Sequence, residues 1–275
     1  MWRRGRGVTP SAESLRDLAL DLAREAARLA RAMRPDVAVA DTKSSAVDVV
    51  THADRAVEDL LVSRIVAARP HDGILGEEGD ERLGTSGVRW VVDPIDGTVN
   101  YLYGLAECAV SVAVEVEGAV VAGVVVGIGT DVEYAAALGS GATRNGEPIH
   151  VRAPAPLAES LVLTGFGYVR TVREHQAACV AALLPEVRDI RRLGACSLDL
   201  CHVAEGSADA YVEAGPQPWD WSAGGLVLQE AGGRFGVLTG PPVAPGTGPI
   251  GVVTGAPAAG WNGFIEAIST AGFLV

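Results

Sequence analysis

The chain has 275 residues, 48% hydrophobic and 20% charged, enough for a large core in one big domain or two smaller ones. Its 22 Lys and Arg stand against 34 Asp and Glu, a net charge of −12, which argues against nucleic acid and anionic membranes as partners. So acidic a chain takes an anionic substrate only where something local reverses the field, and metal ions are the obvious means.

The four cysteines (Cys108, Cys179, Cys196, Cys201) show neither paired zinc spacing nor a disulfide framework. The basic start is followed by no signal-peptide core and no run of about 18 uncharged apolar residues. A cytoplasmic location with reduced thiols is therefore expected.

In chain order, 11–33 is read as a helix with Leu15, Leu18, Leu22, Ala26 and Leu29 on one face. A second helix follows Thr51, a suitable cap, and stops before Pro70. "GILGEEG" and "VRWVVDP" are short apolar strands that both finish in acids, with Pro94 stopping the second. "CAVSVAVEVEGAVVAGVVVGIG" reads as a hairpin around Glu117-Gly118, and "EYAAALGSGATRNGEPIHV" continues with a strand and Gly-rich turns. A shift to Pro and Ala at 152–160 divides the chain into 1–152 and 153–275. Beyond it, strand and helix patterns alternate: "SLVLTGF", a helix near 171–184, "VRDIRRL", "SLDLCHVAEG", "ADAYVEA", "WDWSAGGLVLQEAGG" and a last helix near 257–270, with 239–250 as a surface loop. No internal repeat is visible. The class expected is mixed α and β in layers.

The acids at the element ends carry the chemistry. "WVVDPIDGTVNY" places Asp93 and Asp96 at one strand tip, "GEEG" adds Glu77 and Glu78 at another, and "QPWDWSAGG" adds Asp220 where a helix begins. A lone strand-tip Asp is more often a turn former or cap. Three such ends in one chain point to a metal site, and oxygen donors without His or Cys favour magnesium or manganese over zinc. Two divalent cations about 4 Å apart repel by roughly 17 kcal/mol at an effective dielectric of about 20. A carboxylate touching both at about 2.1 Å returns roughly 16 kcal/mol to each. Asp93 is the expected bridge. Pro94 turns the backbone so that the Ile95 carbonyl can face the same cation, and Gly97 lets the backbone approach a phosphate closely.

These segments, with "KSSAVDVVTHAD" (43–54) and "RRLGACSLDLCHVAEGSADAYVE" (191–213), resemble the inositol monophosphatase family from about residue 10 to the end. That family is part of the magnesium-dependent, lithium-sensitive superfamily that includes fructose-1,6-bisphosphatase. The resemblance implies an α+β fold, an αβαβα five-layer sandwich, in a homodimer. It implies Mg2+, two or three ions per site with Mn2+ as an alternative, held by Glu77, Asp93, the Ile95 carbonyl, Asp96 and Asp220. Thr98 and Asp54, with Glu77, would orient and deprotonate the attacking water. Gly97 and Thr98 amides would hold the phosphate, Gly194, Ala195, Glu213 and Asp220 would meet the substrate, and Lys43 would lie on a mobile loop beside the metals. One departure is Gly194-Ala195-Cys196, where the family commonly has Gly-Thr-Ala or Gly-Ser-Ala.

The function this implies is hydrolysis of a small phosphate monoester, inositol monophosphate first, with histidinol phosphate or another sugar or nucleotide phosphate as the alternative. A non-catalytic binding or regulatory protein on the same fold is the remote alternative, and no metal ligand is missing to signal it. Cys196, Cys201 and His202 lie in an apolar helical pattern and read as structural.

Overall fold

The computed structural model describes residues 10–37, 39–42, 49–79, 81–243 and 246–275. In chain order the elements are α1 (Ala12–Met33), β1 (Val39–Thr42), β2 (Val49–Thr51), α2 (His52–Ala68), β3 (Gly73–Gly76), β4 (Val88–Asp96), α3 (Thr98–Leu102), β5 (Ala109–Val116), β6 (Ala119–Gly127), β7 (Glu133–Ala137), β8 (Ala142–Arg144) and β9 (Glu147–Pro148). The chain continues with β10 (Leu161–Thr164), α4 (Arg170–Leu183), β11 (Asp189–Arg191), α5 (Cys196–Ala204), β12 (Ala210–Ala214), α6 (Pro218–Glu230), β13 (Gly233–Gly240), β14 (Ile250–Pro257) and α7 (Trp261–Thr270).

Both N-terminal helices start where their caps dictate. The Ser11 hydroxyl accepts from the Ser14 amide. Thr51 and Asp54 form a reciprocal capping box at α2. The apolar face of α1 is rich in alanine, with Ala19, Ala23, Ala26, Ala27 and Ala30 fully buried. Such short side chains let the helix lie close on the sheet below it.

Two sheets carry the fold. The first runs β3-β4-β5-β6-β7-β8-β9, parallel only between β3 and β4. The second runs β11-β10-β12-β14-β13, parallel from β11 to β12 and antiparallel beyond. Strand alternation sorts their side chains into three apolar clusters. Trp90 and Val92 of β4 pack with α1 and α2, whereas Val91 between them packs with α5 and α6. Tyr211 of β12 joins that middle layer, whereas Val212 and Ala214 pack with α4 and α7. The layers are thus α1/α2, sheet, α5/α6, sheet, α4/α7, the αβαβα sandwich expected.

Three local expectations need correcting. β4 does not stop at Pro94 but runs on to Asp96, with a break in register between Asp93 and Asp96. Proline has no amide to give a ladder, and the break falls where none is required. The long antiparallel pair β13–β14 fills much of 233–257, where only a 239–250 loop was read; glycines at 233, 236, 240, 251 and 255 dilute the strand pattern. The last helix therefore begins at Trp261, not near 257.

One close approach matters for the site. A Cβ on Gly123 of β6 would lie 2.6 Å from the Ala223 carbonyl oxygen of α6, the helix that carries Asp220. Gly123→Ala must push α6 off the sheet. It is expected to destabilise the fold by about 1–3 kcal/mol, read as a lower urea midpoint at unchanged slope; an unchanged midpoint would contradict this packing.

Candidate active site

The parallel pairing of β3 and β4 sets the site. Gly76 lies opposite Val92, so the C-terminal ends of both strands emerge side by side and bring Glu77 next to Asp93. Asp93 is 1% exposed and Asp96 7%. The Asp93 carboxylate accepts from the Ile95 amide at 2.9 Å. Asp96 accepts from the Ser197 amide at 2.7 Å and the Ser197 hydroxyl at 2.6 Å.

Asp220 arrives from α6. Its carboxylate accepts from the Gln217 amide, fixing it on the helix's first turn. Ser111, paired with Asp93 across β4 and β5, donates its hydroxyl to the Trp219 carbonyl at 3.1 Å. A single serine thereby ties the start of α6 to the strand tip. Carboxylate oxygens of Asp93, Asp96 and Asp220 all lie within 4.8 Å of one another.

The electrostatics are unfavourable as they stand. Burial, then the charges of Glu77, Asp96 and Asp220, push Asp93 well above the usual carboxylate range. Burial raises Asp96 to about 6 despite the Ser197 hydrogen bonds, and burial with Asp96 and Glu77 raises Asp220 well above its ordinary value. Carboxylates crowded together in low dielectric resist ionising. A hard divalent cation removes the conflict, and an all-oxygen donor set suits one.

Thr98 stands at the start of α3, after Gly97 in the left-handed region at φ 84°. A Cβ on Gly97 would lie 2.8 Å from the Glu107 carbonyl, so only glycine fits. The Thr98 hydroxyl has two acceptors in reach, the Ile95 carbonyl at 3.1 Å and the Asp54 carboxylate at 3.3 Å. Asp54 is fully buried behind it, outside the cleft wall. Its other oxygen takes the Thr51 amide at 2.8 Å and hydroxyl at 2.5 Å. Burial raises Asp54 to about 6, and the Thr51 hydrogen bonds oppose that rise.

The acids and the Gly97-Thr98 turn share one cleft of about 440 Å³. Glu77, Asp93, Ile95, Asp96, Gly97, Thr98, Gly194, Glu213 and Asp220 line it. Glu213 is fixed by the Tyr211 hydroxyl at 2.7 Å and fills the space a side chain on Gly165 would need. Ala195 does not line the cleft. It is buried, with its methyl against Gly97. Lys43 lies outside the described residues. Cys196 does line the wall, but burial and the neighbouring acids push its thiol up, so it presents no thiolate.

Four supporting residues escape a reading of the sequence. Glu58, one turn after Asp54 on α2, accepts the Glu78 amide at 2.9 Å and so holds the turn that bears Glu77; the i, i+4 pair of acids was its available signal. Ser197 grips Asp96. Asn100 donates to both the Glu107 and Leu193 carbonyls, at 2.6 and 2.8 Å, joining α3 to the segment before Gly194. Arg34 donates to the Asn100, Tyr101 and Leu105 carbonyls and lies over the Tyr101 ring, holding the far end of α3. Nothing local in sequence marks these three.

Asp199 on α5 is the oddest group. Both its oxygens are buried without a hydrogen-bond partner among the described residues. Burial first, then Glu213, Asp96 and Glu107, hold it well above its ordinary 3.8, against the pull of His202. A carboxyl raised in the folded state adds stability that is complete below the unfolded value and is lost as pH climbs through the folded value. Asp199→Asn removes that loss, so its stability relative to wild type is expected to improve between pH 5 and pH 8. Urea midpoints of both proteins at the two pH values check this; a pH-independent gap would contradict it.

Comparison with known proteins agrees with this geometry. Residues 11–269 match the profile of the inositol monophosphatase family. Inositol-1-monophosphatase of Mycobacterium bovis is 42% identical over 253 residues, covering 85% of this chain and 87% of that protein. Nus factor SuhB of Xylella fastidiosa is 40% identical over 192 residues, covering 70% of each. The solved structure of Mycobacterium tuberculosis SuhB superposes with a TM-score of 0.82 at 38% identity, covering 97% of this chain and all of that one. This chain belongs to the inositol monophosphatase family and is a phosphoric monoester hydrolase of that metal-dependent kind.

Proposed function

We propose that the protein hydrolyses inositol monophosphate to inositol and phosphate with magnesium. The observation that carries this is the set of acids, buried Asp93 and Asp96 with half-buried Asp220 and Glu77, on the same cleft as Glu213. Glu77, Asp93, the Ile95 carbonyl, Asp96 and Asp220 would hold the metal, two or three ions of it. When bound, the ions supply Lewis-acid neutralisation of the phosphoryl oxygens and a more acidic water.

The remaining work falls to the chain. The amides of Gly97 and Thr98 hold the phosphate beside the acids. Thr98 has one hydroxyl proton and two acceptors, so giving it to Asp54 leaves its oxygen free to accept from the attacking water. Asp54, near 6, takes that proton at neutral pH. Glu77 assists at the strand tip. Glu213, an acceptor only, suits a polyol whose ring hydroxyls donate, and Gly194 shapes the floor beneath the ring. Some relatives carry the name Nus factor SuhB, and the cluster of acids in the cleft supports the hydrolytic reading here. A homodimer in the cytoplasm belongs to the same reading by family resemblance. No helix among the described residues is long and apolar enough to cross a membrane.

A panel of inositol 1-phosphate, histidinol phosphate, fructose bisphosphate and phosphoadenosine phosphate, with magnesium, tests the substrate. The highest kcat/KM is expected for inositol 1-phosphate; a higher value for any other overturns that choice. Asp93→Asn is expected to abolish nearly all turnover while folding normally, and near wild-type turnover in millimolar magnesium would remove Asp93 from the centre. Thr98→Ala is expected to lower kcat by roughly 10²- to 10⁴-fold with little change in KM. A drop of less than about tenfold would leave water orientation to other groups.

A further inference from the structure

The wall of the cleft is charged by Glu77, Asp93, Asp96, Glu213 and Asp220, and its one basic side chain among the described residues is Arg192. Among the described residues the Arg192 guanidinium donates no hydrogen bond and joins no ion pair. Its neighbour Arg191, by contrast, is tied to Asp189 at 2.5 Å and to the Ile190 carbonyl. Arg192 lies against Gly194: a Cβ there would come within 2.3 Å of its Nη1 and 3.1 Å of its Cζ. The Gly194 carbonyl in turn abuts Gly97, 3.1 Å from where a Cβ on that residue would be. The guanidinium thus sits one residue's width from the Gly97-Thr98 turn, on the substrate side.

An arginine fork presents paired donors that match a planar or tetrahedral oxyanion in a bidentate pair. The transferable phosphate already has the Gly97-Thr98 turn and the acids' cations. Across the same cleft, Glu213 repels any additional negative charge, and Arg192 is the group that offsets its field.

We infer that Arg192 is a specificity-determining residue that recognises a second oxyanion, phosphoryl or carboxylate, borne by the ester besides the phosphate that is cleaved. This rests on the phosphatase reading and extends its substrates to polyol esters with two anionic groups. The bond broken remains the same phosphate ester.

Two matched pairs test it by kcat/KM with magnesium: fructose 1,6-bisphosphate against fructose 1-phosphate, and 3-phosphoglycerate against glycerol 3-phosphate. The wild type is expected to favour the doubly anionic member of at least one pair by roughly 10- to 100-fold, mainly through KM, the worth of a charge-assisted pair. The pair that responds identifies phosphoryl or carboxylate as the group read. R192Q should erase the preference and R192K retain part of it, while inositol 1-phosphate changes by less than about threefold in both. The inference is overturned if the wild type prefers neither doubly anionic ester, if R192Q keeps the preference, or if R192Q loses equally on all substrates, which would place Arg192 on the transferable phosphate. Calorimetric binding of the two fructose esters, with calcium replacing magnesium, reads the same preference without depending on turnover. A protein that hydrolyses no ester therefore refutes the phosphatase reading, and the binding preference still decides the role of Arg192.

Discussion

Negative charge crowded together and held out of water is the condition on which the rest of this structure depends. Asp93, Asp96 and Asp220 lie within 4.8 Å of one another, with Glu77 beside Asp93. The protein gives the three aspartates hydrogen-bond donors, the Ile95, Ser197 and Gln217 amides and the Ser197 hydroxyl, and no ion pair joins those three among the described residues. Donors orient carboxylates; they do not neutralise them. An uncompensated buried charge costs several kcal/mol, so the arrangement persists either with protons on some of the acids or with cations between them.

The fold makes that arrangement unavoidable. Parallel pairing of β3 and β4 aligns two acidic strand ends, and the register break in β4 lets three residues after Asp93 bring a second carboxylate back to the same place. α6 is then held at the correct height by two contacts with the first sheet, Ser111 to Trp219 and the bare Cα of Gly123 against Ala223. A second ring of contacts fixes the turns: Glu58 under the Glu77 turn, Asn100 and Arg34 around α3. The acids are anchored from different elements, Asp93 within β4, Asp96 by α5 and Asp220 at the start of α6, and those elements pack in three apolar clusters.

Much of this could be read from the chain. Helices with clear caps and 3.6-residue periodicity, such as α1 and α2, and strands with continuous apolar runs, such as β5 and β6, announce themselves locally. The acids at element ends did the same, because three acidic ends in one chain are more than turns and caps account for. What stayed hidden was of two kinds. β13 and β14 are interrupted by glycines, and pairing across nine intervening residues is a tertiary fact. Ser197, Asn100 and Arg34 act through partners 66 to 101 residues away, where no spacing rule reaches. Ala195 was placed in the substrate wall by its position in a motif, and its short side chain instead packs behind Gly97. Asp199 carried no signal in the sequence, yet it is buried with neither oxygen paired among the described residues.

The account stands on cations joining these acids in the folded protein. Thermal unfolding followed while magnesium is titrated from zero to saturation measures this directly, since an ion that binds only the folded site raises the midpoint by mass action. The midpoint is predicted to climb and then level off in the wild type, and the climb to vanish when Asp93 is replaced by Asn. A wild-type midpoint that ignores magnesium, or an equal rise in the variant, would contradict it.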